Sequence, residues 1–195
     1  MREFLQERLQ NWRDEVPCQW AEPFDQALAN FCEVDPAIQP PQQIFPPMRA
    51  EGDDQNRFLL KAFDGITPED VRVIIIGQDP YPDANRATGR AFEDGAVEWV
   101  SDSTSPSLRR LVQSAAAAIS APEELARNDA DWDTLRAELN LPIMAEYFQG
   151  LTEQGVICIN AAWTFTGATP QHLSANLRLW RPVVRHLVQQ VIQRN

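Results

Sequence analysis

The sequence predicts an α/β domain built on a parallel central sheet flanked by helices. Val71 to Ile76 is a nearly unbroken β-branched run and Gly155 to Asn160 a second apolar one, the composition of strands buried on both faces of a parallel sheet. Apolar residues at three- and four-residue steps recur before, between and after these runs, so helices alternate with the strands. Both runs end in polar residues, Gln78 and Asp79 in one case and Asn160 in the other, where open parallel sheets bind their ligands.

The elements follow in order. Phe4, Leu5, Leu9 and Trp12 have helical spacing, as do Trp20, Phe24, Leu28 and Phe31, so the chain opens with two amphipathic packing helices. Residues 36–47, PAIQPPQQIFPP, hold five prolines, which exclude a helix or a central strand. They read as an extended segment on the surface or along a groove, or as a plain linker. A short helix is expected from Arg57 to Phe63, ahead of the first strand. Ser107 to Ile119 is helical with an Ala-rich turn, and the acidic stretch from Pro122 to Glu138 reads as a surface insertion or helix. Leu177, Trp180, Val184, Leu187, Val188 and Val191 recur at helical steps in a final amphipathic helix. Two strands make a poor sheet, each with an unpaired edge, so a protein partner's strand at the open edge is one expectation.

A chain of 195 residues at 44% hydrophobic suffices for one domain, placed at 1–195. Its 28 acidic and 17 basic residues leave a net charge of −11, which works against non-specific attraction to phosphate or anionic lipid. Residues 151–195 depart from this, with four arginines (Arg178, Arg181, Arg185, Arg194) against Glu153. On a helix, Arg178, Arg181 and Arg185 read first as a solvated face. Three scattered cysteines, Cys18, Cys32 and Cys158, form no disulfide framework and no CxxC metal clip, which suits a reducing, cytoplasmic setting. Cys158, inside an apolar run, reads as a small buried side chain. The N-terminus lacks the apolar centre of a signal peptide, and no run approaches the roughly 20 apolar residues of a membrane span. A soluble monomer without metal or cofactor is expected. The GxSxG, GxxxxGK[ST] and HExxH patterns are absent, which leaves little support for an unrelated hydrolase or phosphate-loop enzyme.

The loop IIIGQDPYP, residues 74–82, carries the chemistry. Gly77 permits a sharp exit from the strand, while Pro80 and Pro82 restrict the backbone around Tyr81. Asp79 offers a base or an anion, Asn160 a donor and acceptor pair suited to an amide edge, and Phe92 a face for a planar ring. Together they outline a pocket for a flat polar heterocycle. The same residue types also suit an ordinary Asp-Pro turn, a core Phe and a strand-ending Asn.

GQDPYP at Gly77 to Pro82 resembles the GQDPYH water-activating motif of family 1 uracil-DNA glycosylases, and further stretches resemble the same family in the same order. QPPQQIF resembles its proline-rich entry to the first strand, and TGRAF, ending in Phe92, the stretch with the base-stacking ring. SPSL at Ser105 to Leu108 is similar to its phosphate-contacting loop, and GVICINAAWT to the strand ending in the uracil-reading Asn. The resemblance implies excision of uracil from DNA, with the deoxyuridine flipped out of the helix into the pocket. Asp79 would orient a water and favour positive charge on the sugar. Asn160 would read the O4 and N3 edge of uracil, Tyr81 would fill the space of a thymine methyl, and Phe92 would stack on the base. Gln78 would hold the loop and the O2 side, Ser105 and Ser107 would contact DNA phosphate, and the proline segment would press on the strand. No metal is implied, and the cysteine pattern does not suit the family's iron–sulfur relatives.

Pro82 departs from the motif's His, and the acidic bulk weakens the electrostatic attraction to DNA. Family members continue past the last helix into two further strands and a His-Ser-Pro loop whose His stabilises the leaving uracil. The expectation is that residues 1–195 hold most of the fold without its last strands. Loss of one such stabiliser commonly costs about 100- to 1,000-fold. His172, placed in a loop, and His186, on the final helix, are expected to be solvated rather than substitutes for it. A non-catalytic module of the same fold, binding a nucleobase or a protein partner, is therefore the alternative to a glycosylase.

Overall fold

A computed structural model describes residues 1–49, 57–101, 103–118 and 131–194. β1 (Val73–Gly77) and β2 (Val156–Asn160) pair in parallel, from Val73 opposite Val156 to Gly77 opposite Asn160. Side chains alternate across this sheet with the two-residue period of a strand. Ile157 and Ile159 join a core containing Leu5, Leu9, Trp20 and Phe63, while Cys158 joins one containing Leu108, Leu135 and Phe148. The first core is covered by α1 (Arg2–Leu9), α2 (Ala21–Phe24) and α6 (Pro170–Arg194). The second is covered by α3 (Pro106–Ala118), α4 (Trp132–Leu139) and α5 (Met144–Glu153). Helices thus lie on both faces of a parallel sheet, the predicted α/β class.

The first core is mainly aromatic. Trp163 stacks on Trp180 with ring centroids 5.0 Å apart, Trp12 meets Trp180 edge-on at 5.5 Å, and Trp20 meets Phe63 at 4.9 Å. Two of its indole N–H groups are matched inside it: that of Trp20 donates to the Ile66 carbonyl and that of Trp180 to the Thr164 hydroxyl.

Several expected elements take other forms. The second N-terminal helix is a 3-10 turn (Cys18–Trp20), the single-turn α2 and a separate 3-10 turn (Phe31–Glu33), and Leu28 is 68% exposed. Pro17 and Pro23 punctuate the segment, so Trp20 and Phe24 are buried from separate turns and Phe31 is half-buried from a third. The expected helix at Arg57 to Phe63 contracts to a 3-10 turn, Lys61–Phe63. β1 is not buried on both faces, because Val73 and Ile76 are 47% and 49% exposed. It pairs on one side only among the described residues, and an edge strand lacks the flanking cover of a central one. Ile119 and residues 122–130 of the acidic stretch lie outside the described residues, and the stretch resumes as α4. The last helix begins at Pro170, earlier than its apolar repeat announced, with Pro182 inside it.

Candidate active site

Pairing continues past the strands. The Ala161 amide donates to the Gly77 carbonyl and the Ala162 amide to the Gln78 carbonyl, each at 2.9 Å, so the two exit loops leave the sheet locked side by side. Gly77 is required by what crosses it. A Cβ there would stand 2.6 Å from Asn160 Oδ1, 3.0 Å from the Ala91 Cβ and 3.5 Å from Phe92 Cζ. The bare glycine lets the Asn160 amide and the Phe92 ring close over the strand end.

Above this floor opens a cavity of about 610 Å³. Its lining includes Gln78, Asp79, Tyr81, Phe92, Ser105, Ser107 and Asn160, so every residue singled out from the sequence reaches one space. Asn160 is only 5% exposed, yet its amide makes no side-chain hydrogen bond to a described residue. It presents a donor and an acceptor to the cavity, a state that buried polar groups rarely keep without a ligand or water.

Asp79 is half-buried, with one oxygen 3.1 Å from the Gln78 amide nitrogen. Burial pushes its carboxyl above the usual range, and the Gln78 hydrogen bond partly opposes this. The Tyr81 hydroxyl lies 2.9 Å from Ser105 Oγ and 3.3 Å from the Phe92 carbonyl oxygen. Burial likewise raises the Tyr81 phenol, which is neutral at ordinary pH. The Arg86 guanidinium covers the Tyr81 ring at 4.5 Å and is held in turn by Asp94 through bonds of 2.9 and 2.5 Å. Phe92 has a left-handed backbone, φ 69°, uncommon for a residue with a side chain and a feature of sites where geometry is imposed. Ser105 precedes α3 and receives the Leu108 amide at 3.4 Å, while Ser107 is exposed in that helix's first turn. A helix start of this kind suits an anion.

The far wall was not singled out in the sequence. It is the loop after β2 and the start of α6, where Phe165 and Thr169 of the loop and Leu173 of the helix line the cavity. The stretch TFTGATP, beginning four residues after Asn160, was the available signal. Phe165 is bonded to Phe45 by a reciprocal antiparallel bridge, which brings the proline-rich segment alongside the cavity wall. His172 is not in a loop but in the first turn of α6, and not freely solvated. Its Nε2 lies 3.0 Å from the Gln39 carbonyl oxygen and its Nδ1 3.1 Å from Thr169 Oγ1, a strut for the proline segment. Trp163 is 4% exposed in the aromatic core, and Trp99 lies under the Arg136 guanidinium, so neither lines the main cavity. Arg178, Arg181 and Arg185 are exposed along α6. Among the described residues, no group of three His, Cys, Asp or Glu side chains could hold a metal, and no helix is long and apolar enough to cross a membrane.

A uracil-DNA glycosylase of Pseudomonas aeruginosa (strain UCBPP-PA14) is 26% identical over 188 residues, covering 94% of this chain and 64% of that protein, so the chain spans less than two thirds of its relative. A uracil-DNA glycosylase of Haemophilus influenzae is 37% identical over 84 residues, 43% of this chain and 34% of that one. The crystal structure of wild-type UNG from Nitratifractor salsuginis superposes with a TM-score of 0.66 at 24% identity, over 98% of this chain and 76% of that one, which supports the fold. The pattern that defines the uracil DNA glycosylase superfamily matches residues 64–193, a span containing both strands and every cavity residue predicted from the sequence. The chain belongs to that superfamily.

Proposed function

We propose that the chain is a DNA glycosylase of base excision repair that hydrolyses the N-glycosidic bond of a flipped-out deoxyuridine. The observation that carries this is the Asn160 amide, without a side-chain hydrogen bond to a described residue, held over Gly77 beside Phe92 in the same cavity as Asp79. Asn160 Nδ2 donates to uracil O4 and Oδ1 accepts from N3–H; cytosine presents the opposite polarity at both positions. Phe92 stacks on the base, and Tyr81 fills the space at C5 where thymine carries a methyl group. Gln78 steadies the Asp79 carboxylate and the O2 side.

Asp79 orients a water beneath C1′ and stabilises the positive charge that grows there as the bond to N1 breaks. The bonding electrons leave with the base as the uracil anion, water oxygen bonds to C1′, and the released proton passes to Asp79 or solvent. Ser105 and Ser107 hold the flanking phosphate at the start of α3. Uracil-containing DNA is thus the partner, met in the cytoplasm by a single domain acting as a monomer.

Base release from a single-stranded oligonucleotide carrying one uracil tests this, read as alkali-labile cleavage. Product is expected from the uracil oligonucleotide only, and to be lost with Asp79→Asn. No product from a folded chain would reject it.

The exposed Val73 and Ile76 on β1 favour a second role, a nucleobase-binding module whose sheet is extended by a partner strand. Uracil affinity without base release, together with an association abolished by Ile76→Lys, would support that role instead.

A further inference from the structure

Within the wall that carries Phe92 lies a cluster of charges which the proposed chemistry does not use, with Arg90 lining the main cavity and Lys61 and Glu93 a second one. Lys61, Arg90 and Glu93 are buried, at 6%, 8% and 2% exposure. Lys61 Nζ stands 2.9 Å from Glu93 Oε2, and Arg90 Nη1 stands 3.7 Å from Glu93 Oε1. Arg90 Nη2 also reaches Gln149 Oε1 on α5 at 3.5 Å. Long charged side chains stay buried only where partners replace the lost water, so one carboxylate holds two cations.

The cluster is threaded through the segment that presents the ring. Glu93 follows Phe92 directly, and Arg90 stands two residues before it. On one side the Ala91 amide donates to the Cys158 carbonyl of β2 at 3.0 Å. On the other, the Phe58 amide donates to the Thr88 carbonyl at 3.2 Å, and Gly89 (φ 101°) lies so close that a Cβ would meet the Phe58 carbonyl oxygen at 1.9 Å. Thr88 lines both the main cavity and a second one of about 450 Å³, which is also lined by Lys61 and Glu93. At Thr88 the wall therefore borders two open spaces, while Ala91 and Phe92 pack against the second core. A residue with a side chain keeps a backbone like that of Phe92 only when its surroundings impose it.

We infer that Lys61, Glu93 and Arg90 form a positioning clamp for the base-stacking ring, with Glu93 tying the 88–93 wall to Lys61 so that Phe92 stays opposite Asn160. The clamp's role in base binding rests on the nucleobase function proposed above. Burial, the largest influence on Lys61, pushes its ammonium below the usual range and Glu93 draws it back. Loss of the Glu93 charge leaves two neighbouring buried cations without their anion, and the wall moves to relieve them.

Glu93→Gln, which keeps size and removes charge, is the test in the full chain. Ligand-observed NMR with free uracil is expected to show affinity about tenfold weaker or less, as small misplacements of a binding group do. Hydrogen exchange at the Ala91 amide is expected to speed up relative to amides within β2. An unchanged exchange ratio with unchanged uracil affinity, whatever the melting temperature, would overturn the clamp.

Lys61→Met/Glu93→Gln separates clamping from charge burial, and serves also if the single variant does not fold. With one of the two unpaired cations removed, its melting temperature is expected to recover in part. Its uracil affinity and Ala91 exchange are not, and recovery of all three would mean a purely structural cluster. If the unaltered chain binds no uracil, the nucleobase function fails by itself, and the exchange ratio alone then decides the clamp.

Discussion

Asn160 and Gly77 make one unit, because the amide occupies the space where any other residue at 77 would place its Cβ, 2.6 Å away. Gly77→Ala is accordingly expected to weaken uracil binding by about 100-fold, the scale of a displaced positioning group, while the sheet still folds. Titration calorimetry with uracil, alongside a thermal melt, checks both halves. Asp79 carries opposite consequences for activity and stability. Burial raises its carboxyl, so base release should fall on acidification from a pH above the ordinary carboxylate range. A raised folded-state value also means that stability is greatest below the unfolded value and declines as pH rises through the folded one. Asp79→Asn is therefore expected to melt no lower than the parent at neutral pH, with the difference vanishing in acid, even as activity drops by about 100-fold or more. Lower stability of the variant at neutral pH would contradict this. These residues were legible because GQDPYP, TGRAF and GVICIN are short contiguous signatures. The partnership of Lys61 with Glu93 was not, since it joins segments 32 positions apart in a 195-residue chain.

At the scale of elements, the start of α6 does more than close the core. Asn176 is 2% exposed and donates to the Thr166 hydroxyl at 2.7 Å and the His172 carbonyl at 2.8 Å, while accepting from Thr164 Oγ1 at 2.5 Å. Trp180 completes the chain by donating to Thr164. This network fixes the loop that supplies Phe165 and Thr169 to the cavity. Asn176→Leu is expected to cost about 2 to 3 kcal/mol, because several buried partners lose their bonds together. Urea denaturation would measure the cost, and a loss of uracil affinity at low urea would show the loop shifting first. The second N-terminal helix shows where periodicity misleads. Four residues at three- and four-residue steps matched a helical face, yet three of them are carried by separate short turns and Leu28 faces solvent. Spacing reports which side chains could share a face, but prolines and tertiary contacts decide whether one helix carries them.

Taken whole, the molecule is an acidic body, net −11, whose proposed DNA contacts at Ser105 and Ser107 are hydroxyls at a helix start rather than ammonium or guanidinium groups. Contacts of this kind release few counterions. The slope of log affinity for single-stranded DNA against log salt is expected to be shallow, below about 3 in magnitude. Anisotropy titrations at several salt concentrations would check it, and a steep slope would point to Arg178, Arg181 and Arg185 instead. By itself the sequence determined the α/β class, the two strands and the polar residues at their ends. Those properties live in runs of neighbouring residues whose composition and order have few structural solutions. Tertiary structure alone decided that β1 is half exposed, that Phe92 takes a left-handed backbone, that His172 props the proline segment, and that a buried ion cluster adjoins the stacking ring. Each depends on what a residue meets across the fold, and burial and strain are properties of those meetings, not of any stretch of chain.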